Sequence, residues 1–142
     1  MLKGIPPILP PELVKILMEM GHGDSILLCD ANYPRFGSPE RCVRLDGHGI
    51  PEILDAILTL MPLDAMVEHP TTFMAVTPGD PYIPVIWETY REIGLRHEPQ
   101  GLRERQILNR DFYKEGPACY ACVATGERAL YGNVILRKGV IK

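Results

Sequence analysis

Several residues in the 142-residue chain have types and spacings suited to chemistry. His22 lies between Gly21 and Gly23, where its ring can project into solvent or a cleft and act as an acid or base near neutral pH. A lone loop histidine is also commonly no more than a surface polar residue. Asp30 closes an apolar run, the place where open α/β sheets bind ligands, although an Asp there can equally cap its own turn. Tyr131-Gly132-Asn133 sets a phenol and an amide on either side of a glycine, a hydrogen-bonding set able to hold hydroxyls or to make a strand-start turn. Arg110 and Tyr113, in Arg110-Asp111-Phe112-Tyr113, either join the same polar cluster or lie on an exposed helix face.

Other chemistries find little support. His22, His48, His69 and His97 form no i,i+4 ligand pair and no H-E-x-x-H arrangement, so no catalytic metal is expected, and no cofactor. Gly21-His22-Gly23 lacks a third glycine and runs from helix into strand, the reverse of a phosphate-cradling context; Gly47-His48-Gly49 reads as a turn before a helix. Cys119 and Cys122 have C-x-x-C spacing, but they fall in an apolar run, 118–125, that reads as a buried strand. Residues three apart in a strand face opposite ways, and no second ligand pair exists, so reduced structural thiols are the expectation for Cys29, Cys42, Cys119 and Cys122. A thiol-redox or zinc protein is the weakest reading. The net charge of -3, without a basic and aromatic cluster, points away from nucleic acid. No apolar run reaches the roughly 18 residues of a membrane span. Prolines interrupt the first residues where a signal peptide needs an apolar stretch, and a cytoplasmic protein is expected.

The elements that position these groups follow from periodicity. Hydrophobic residues make up 46% and charged residues 23%, a globular balance, and the length suits one domain over 1–142. The spacing predicts a helix over 12–20, with Leu13, Val14, Leu17 and Met18 on one face, Pro11 at its first position and Gly21 past its end. A strand covered on both faces follows over 25–30, then an exposed loop over 31–38. A second helix is predicted over 51–61 and a third over 84–93, ended by Gly94. Short strands are predicted at 65–67, 72–76 and 107–109, with a turn at 78–81 and an irregular stretch over 96–106. A helical turn or two at 110–115 and strands at 118–125 and 133–138 complete the chain. This order predicts a single α/β domain with a central, largely parallel or mixed sheet flanked by helices.

The segments Met20-Gly-His-Gly-Asp24, Asp30-Ala-Asn-Tyr-Pro34, Asp46-Gly47 and Thr125-Gly-Glu-Arg-Ala-Leu-Tyr-Gly-Asn-Val-Ile-Leu-Arg-Lys-Gly139 together resemble the L-fucose mutarotase and D-ribose pyranase family, in the same order and over nearly the whole chain. Gly-His-Gly-Asp and Asp-Ala-Asn-Tyr-Pro are more similar to the fucose branch. The resemblance implies a cofactor-free isomerase that exchanges the α and β anomers of a free monosaccharide, L-fucose first, by general acid–base ring opening and closure. A ribose-type pyranose–furanose interconversion is the alternative within the class, and a non-catalytic sugar-binding module the alternative outside it. By the same resemblance His22 is the acid–base residue, Asp30 a sugar or histidine partner, and Tyr131 and Asn133 hydroxyl-holding groups. Asp64, Arg110 and Tyr113 fall at sugar-contacting positions. The family's assembly implies a homodecamer of two stacked pentameric rings with sites near subunit contacts. His22 and Asp30 stand eight residues apart, a span of about 26 Å when extended. A direct bond between them needs a curled corner or a site built by neighbouring subunits.

Overall fold

Burial in this chain follows the two periods that regular backbone imposes, 3.6 residues along helices and 2 along strands. The structure, a computed structural model, describes residues 1–34 and 40–142. Its elements in chain order are α1 (Pro11–Glu19), β1 (Ser25–Cys29), β2 (Cys42–Leu45), α2 (Ile50–Leu60), β3 (Thr71–Met74), α3 (Ile86–His97), β4 (Glu104–Ile107), α4 (Asn109–Glu115), a 3-10 turn (Gly116–Ala118), β5 (Ala121–Thr125) and β6 (Val134–Arg137). The strands form one sheet in the order β2-β5-β1-β6-β3-β4. Only β6 runs against its neighbours, β1 and β3; the other pairings are parallel. The carboxyl ends of the five parallel strands and the start of β6 therefore share one edge of the sheet.

Alternation along the central strands divides the core in two. Ile26 and Leu28, Ala121 and Val123, and Val134 and Leu136 join a large cluster with α1, α2 and α3 on one face. Leu27, Cys29, Cys122 and Ile135 point the other way, into a smaller cluster closed by Phe112 of α4. Each fully buried Leu, Ile or Phe in these clusters contributes about 1.5 to 3 kcal/mol of transfer free energy. Pro11 starts α1, where its missing N–H leaves nothing unsatisfied, and Glu52 of α2 reaches back to accept the Gly49 N–H at 3.2 Å.

The α/β class and mixed sheet agree with the sequence reading, while several boundaries do not. Met18 is 79% exposed and Ile16 is buried in its place, because the buried face of α1 is rotated away from Met18. Residues 65–67 are not a strand: the Met66 N–H turns inward to Asp64 Oδ1 at 2.9 Å, and pairing there is a single bridge between Leu63 and Lys138. The third helix starts two residues later than predicted and runs through Gly94 to His97. Gly94 serves a close approach and not a stop, since a Cβ at that position would lie 2.5 Å from Leu102 Cγ. β4, with its Glu-Arg-Gln-Ile sequence, has its first three residues inside the stretch read as irregular and shares just Ile107 with the strand predicted at 107–109, since Asn109 already opens α4; as an edge strand it keeps polar residues facing water, which hides it from apolar patterning. β2 at the other edge, Cys-Val-Arg-Leu, is absent from the sequence reading as well.

The final long strand begins at Ala121, not 118, because Gly116–Ala118 form a 3-10 turn. Cys119 thus precedes the strand and enters the same small cluster as Cys122, so these side chains do not sit on opposite faces as predicted. Burial pushes the Cys119 thiol up to about 12, with the charge of Glu115 adding to the rise, and the thiolate needed for redox or metal chemistry is disfavoured. Of the predicted 31–38 loop, residues 35–38 lie outside the described residues.

Candidate active site

Where the carboxyl ends of β1, β3 and β4 meet the start of β6, the edge of the sheet holds a cavity of about 380 Å³. Asp30, Asp80, Tyr113, Tyr131 and Asn133 are among its lining residues. Asp30 follows the last residue of β1 and Asn133 precedes the first of β6, and the antiparallel pairing of these strands brings them together. They hold each other twice: the Asp30 N–H donates to Asn133 Oδ1 at 2.7 Å, and Asn133 Nδ2 donates to Asp30 Oδ2 at 2.8 Å. The Asn32 N–H donates to Asp30 Oδ1 at 2.9 Å. The reciprocal pair fixes which end of the buried Asn133 amide faces which partner. Burial pushes the Asp30 carboxyl above its ordinary value despite these bonds, and the charge of Glu127 adds to the rise.

Helix α3 aims Tyr131. Trp87 Nε1–H donates to the Tyr131 carbonyl at 2.9 Å, and the buried Tyr90 O–H donates to the Gly132 carbonyl at 2.8 Å. Between these anchors Tyr131 takes a φ of +58°, a left-handed conformation that a non-glycine residue holds only when its surroundings impose it. Its phenol donates to Asp80 Oδ2 at 2.5 Å and accepts the Thr77 N–H at 3.3 Å. The bond from Tyr131 in turn holds the Asp80 carboxyl below its usual value. Tyr113, half-buried on α4, stands edge-on to Tyr33 at 5.5 Å; burial raises its phenol, with a further push from the charge of Asp30. A cavity ringed by carboxylates, phenols and an amide is suited to a small, neutral, hydroxyl-rich ligand.

His22 stands at the opposite edge, in the loop that leads from α1 into β1. Its Nε2 lies 3.0 Å from Oδ1 of Asp64, whose other oxygen accepts Arg137 Nε–H at 2.9 Å. Asp64 is 1% exposed. Burial alone would push its carboxyl up, but bonds from the Met66 N–H, Arg137 and His22 outweigh that and hold it down at about 2. An ionised carboxylate only accepts, so His22 Nε2 carries the proton and donates. The five residues of β1, at about 3.3 Å each, separate this cluster from Asp30 by roughly 15 Å. Within one chain the histidine's partner is Asp64, not Asp30.

The structure thus brings Asp30, Tyr113, Tyr131 and Asn133 around one cavity and places His22 with Asp64 elsewhere. Arg110 joins neither group: its side chain is 76% exposed and its ionic partner is Asp111 at 3.8 Å. Sequence reasoning missed Asp80, which lies in a Pro-Gly-Asp-Pro stretch that signals only a turn, and Arg137, which reads as the solvated end of a strand. The other histidines serve local bonds: His48 to Glu52, His97 to Asp55, and His69 to the Arg103 carbonyl. Among the described residues no group of three His, Cys, Asp or Glu is placed to hold a metal ion, and no helix is long and apolar enough to cross a membrane.

Comparison with known proteins places this geometry in context. The model of the RbsD / FucU transport protein family matches residues 3–141. The chain is 44% identical over 147 residues to the fucose mutarotase of Homo sapiens, with 99% of this chain and 94% of that protein covered. Among solved structures it is similar to the fucose mutarotase of Streptococcus pneumoniae in complex with L-fucose, at 49% identity and a TM-score of 0.93, covering 99% of this chain and 100% of the other. FucU from Bifidobacterium longum also has a TM-score of 0.93, at 43% identity and the same coverage.

Proposed function

The chain belongs to the RbsD / FucU transport protein family, and we propose on that footing that it is an isomerase interconverting the α and β anomers of free L-fucose in the cytoplasm. The observation that carries this reading is the 49% identity, across essentially the whole chain, to a protein whose crystal structure holds L-fucose. The chemistry needs a proton taken from the anomeric hydroxyl and one delivered to the ring oxygen, so that the ring opens to an aldehyde and recloses on either face. His22 is the acid–base group in this reading. Asp30, Tyr131 and Asn133, with Tyr113, hold hydroxyls in the cavity at the sheet edge, and the buried Asp64 acts on the histidine. Arg110 has a sugar-contacting role only if a neighbouring subunit draws its exposed side chain in.

Separation of His22 from Asp30 along β1 supports a site assembled from two chains, one supplying His22 and Asp64, the next supplying the Asp30 cavity. Two stacked pentameric rings, as the family resemblance implies, would provide such contacts. The test of the function is NMR exchange between the anomeric protons of L-fucose at equilibrium, with wild type, with His22→Ala and with buffer. Wild type should accelerate exchange and His22→Ala should lose about 10² to 10⁴ of that acceleration, the usual contribution of a positioned acid–base group. Equal rates in all three samples overturn the reading. Faster exchange with D-ribose than with L-fucose or D-galactose would replace it by a pyranase, since pocket groups left unpaired by the wrong sugar are costly.

A further inference from the structure

We propose that Arg137 is a positioning residue for the acid–base step: through Asp64 it keeps the proton of neutral His22 on Nε2, which leaves Nδ1 as the atom that takes and returns the sugar's proton. The inference rests on the reading of His22 as the acid–base group. Asp64, almost fully buried, uses Oδ1 for His22 Nε2 and the Met66 N–H and Oδ2 for Arg137 Nε. With His22 as its only cationic partner, a buried carboxylate would stay ionised chiefly by holding the ring as imidazolium. The guanidinium supplies a permanent positive charge instead, so the carboxylate remains an acceptor while the ring is neutral. It faces the same N–H in both protonation states of the imidazole.

The loop is shaped to admit this arrangement. Gly23, next to His22, has a φ of +87°, and a Cβ there would stand 3.0 Å from Arg137 Nη2, so the guanidinium lies against the backbone that carries the histidine. The other charges around the cluster are engaged elsewhere. Asp24 accepts the Gly21 N–H at 2.7 Å, and Lys138 donates to the Leu17 carbonyl at 2.8 Å. Arg103 donates to the carbonyls of Asp64 and Val67, and Glu98 accepts the Leu63 N–H. Glu68 lies 3.6 Å from His69. Among the described residues, Asp64 is the ionic partner of His22.

In the step itself the anomeric O–H gives its proton to Nδ1 and its electron pair closes the C1=O bond. The C1–ring-oxygen pair moves to the ring oxygen, which takes the proton back from Nδ1. Nε2–H stays on Asp64 throughout, and the ring ends neutral.

Long-range proton–nitrogen NMR of the full protein, without sugar, tests the assignment directly. Neutral His22 should show a protonated Nε2 and a bare Nδ1; a proton on Nδ1 overturns the proposal. In Arg137→Met the carboxylate's hold on the imidazolium strengthens. The NMR midpoint of His22 and the acid limb of the fucose-exchange profile should then both move up by about one pH unit relative to wild type, the scale of one nearby, half-exposed charge. Arg137→Lys, which keeps the positive charge, should return both most of the way to their wild-type positions. Unmoved midpoint and limb in Arg137→Met overturn the proposal. If that variant does not fold, the wild-type tautomer and the Lys variant decide it. A wild type that does not accelerate exchange overturns the proposed function, while the coupling of Arg137, Asp64 and His22 is still decided by the NMR titration.

Discussion

Replacing Asn133 by Ala would break both bonds that lock it to Asp30. The side chain is 3% exposed, so water has little access to groups it leaves behind. Loss of the 2.7 Å bond from the Asp30 N–H costs about 1 kcal/mol, and loss of the 2.8 Å bond to the carboxylate about 2 kcal/mol, together about 3 kcal/mol. For a chain of this length that corresponds to a fall in Tm of roughly 9 °C. The deficit should also depend on pH. Asn133 is one of the groups that restrain the upward push of burial on the Asp30 carboxyl. Without it the folded-state pKa rises further, folded protein binds the proton more tightly than unfolded chain, and stability falls as pH rises through that range. Urea unfolding of wild type and Asn133→Ala at pH 4 and pH 7 measures both effects, with the larger deficit expected at pH 7. A deficit below about 1 kcal/mol, or one of equal size at the two pH values, would refute the reasoning by showing that the freed groups are solvated.

Two further outcomes follow from the ionic clusters. Asp64 is held down from 3.8 to about 2, so its contribution to stability is fully present above about pH 4 and is lost as pH falls toward 2; the shift corresponds to about 2 kcal/mol. Asp64→Asn should lose that slope in urea midpoints measured from pH 5 to pH 2. If sites are built from two chains, refolding His22→Ala together with Asp30→Asn should restore fucose exchange in mixed oligomers, with about a quarter of sites intact on random mixing; no recovery would place both halves of the site in one chain.

Much of the fold is legible in the sequence because its central strands and two of its helices are buried. Residues 26–29 and 134–136 are unbroken apolar runs, and helices near 12–20 and 51–61 carry apolar stripes set off by prolines. The edge strands Cys42–Leu45 and Glu104–Ile107 are harder to read because each is four residues long and, among the described residues, pairs with a single strand, and Glu104–Ile107 carries polar side chains besides. Gly94 misled for a different reason. A glycine that stops a helix and one that admits Leu102 look alike until the packing partner is known.

For the candidate site, types and order along the chain raised His22, Asp30, Tyr131 and Asn133 as candidates beside Arg110 and Tyr113, each with a purely structural reading open, and their roles came through resemblance. Asp64 came through resemblance alone. What only tertiary structure decided is pairing. The antiparallel placement of β6 beside β1 joins Asp30 to Asn133 across 103 residues, and the same strand carries Arg137 to Asp64 at the other edge. Helix α3 sets the left-handed turn that turns Tyr131 toward Asp80. Local sequence governs backbone propensity and which faces seek burial, but a hydrogen bond between residues so far apart depends on strand order and direction, which the whole sheet settles by packing.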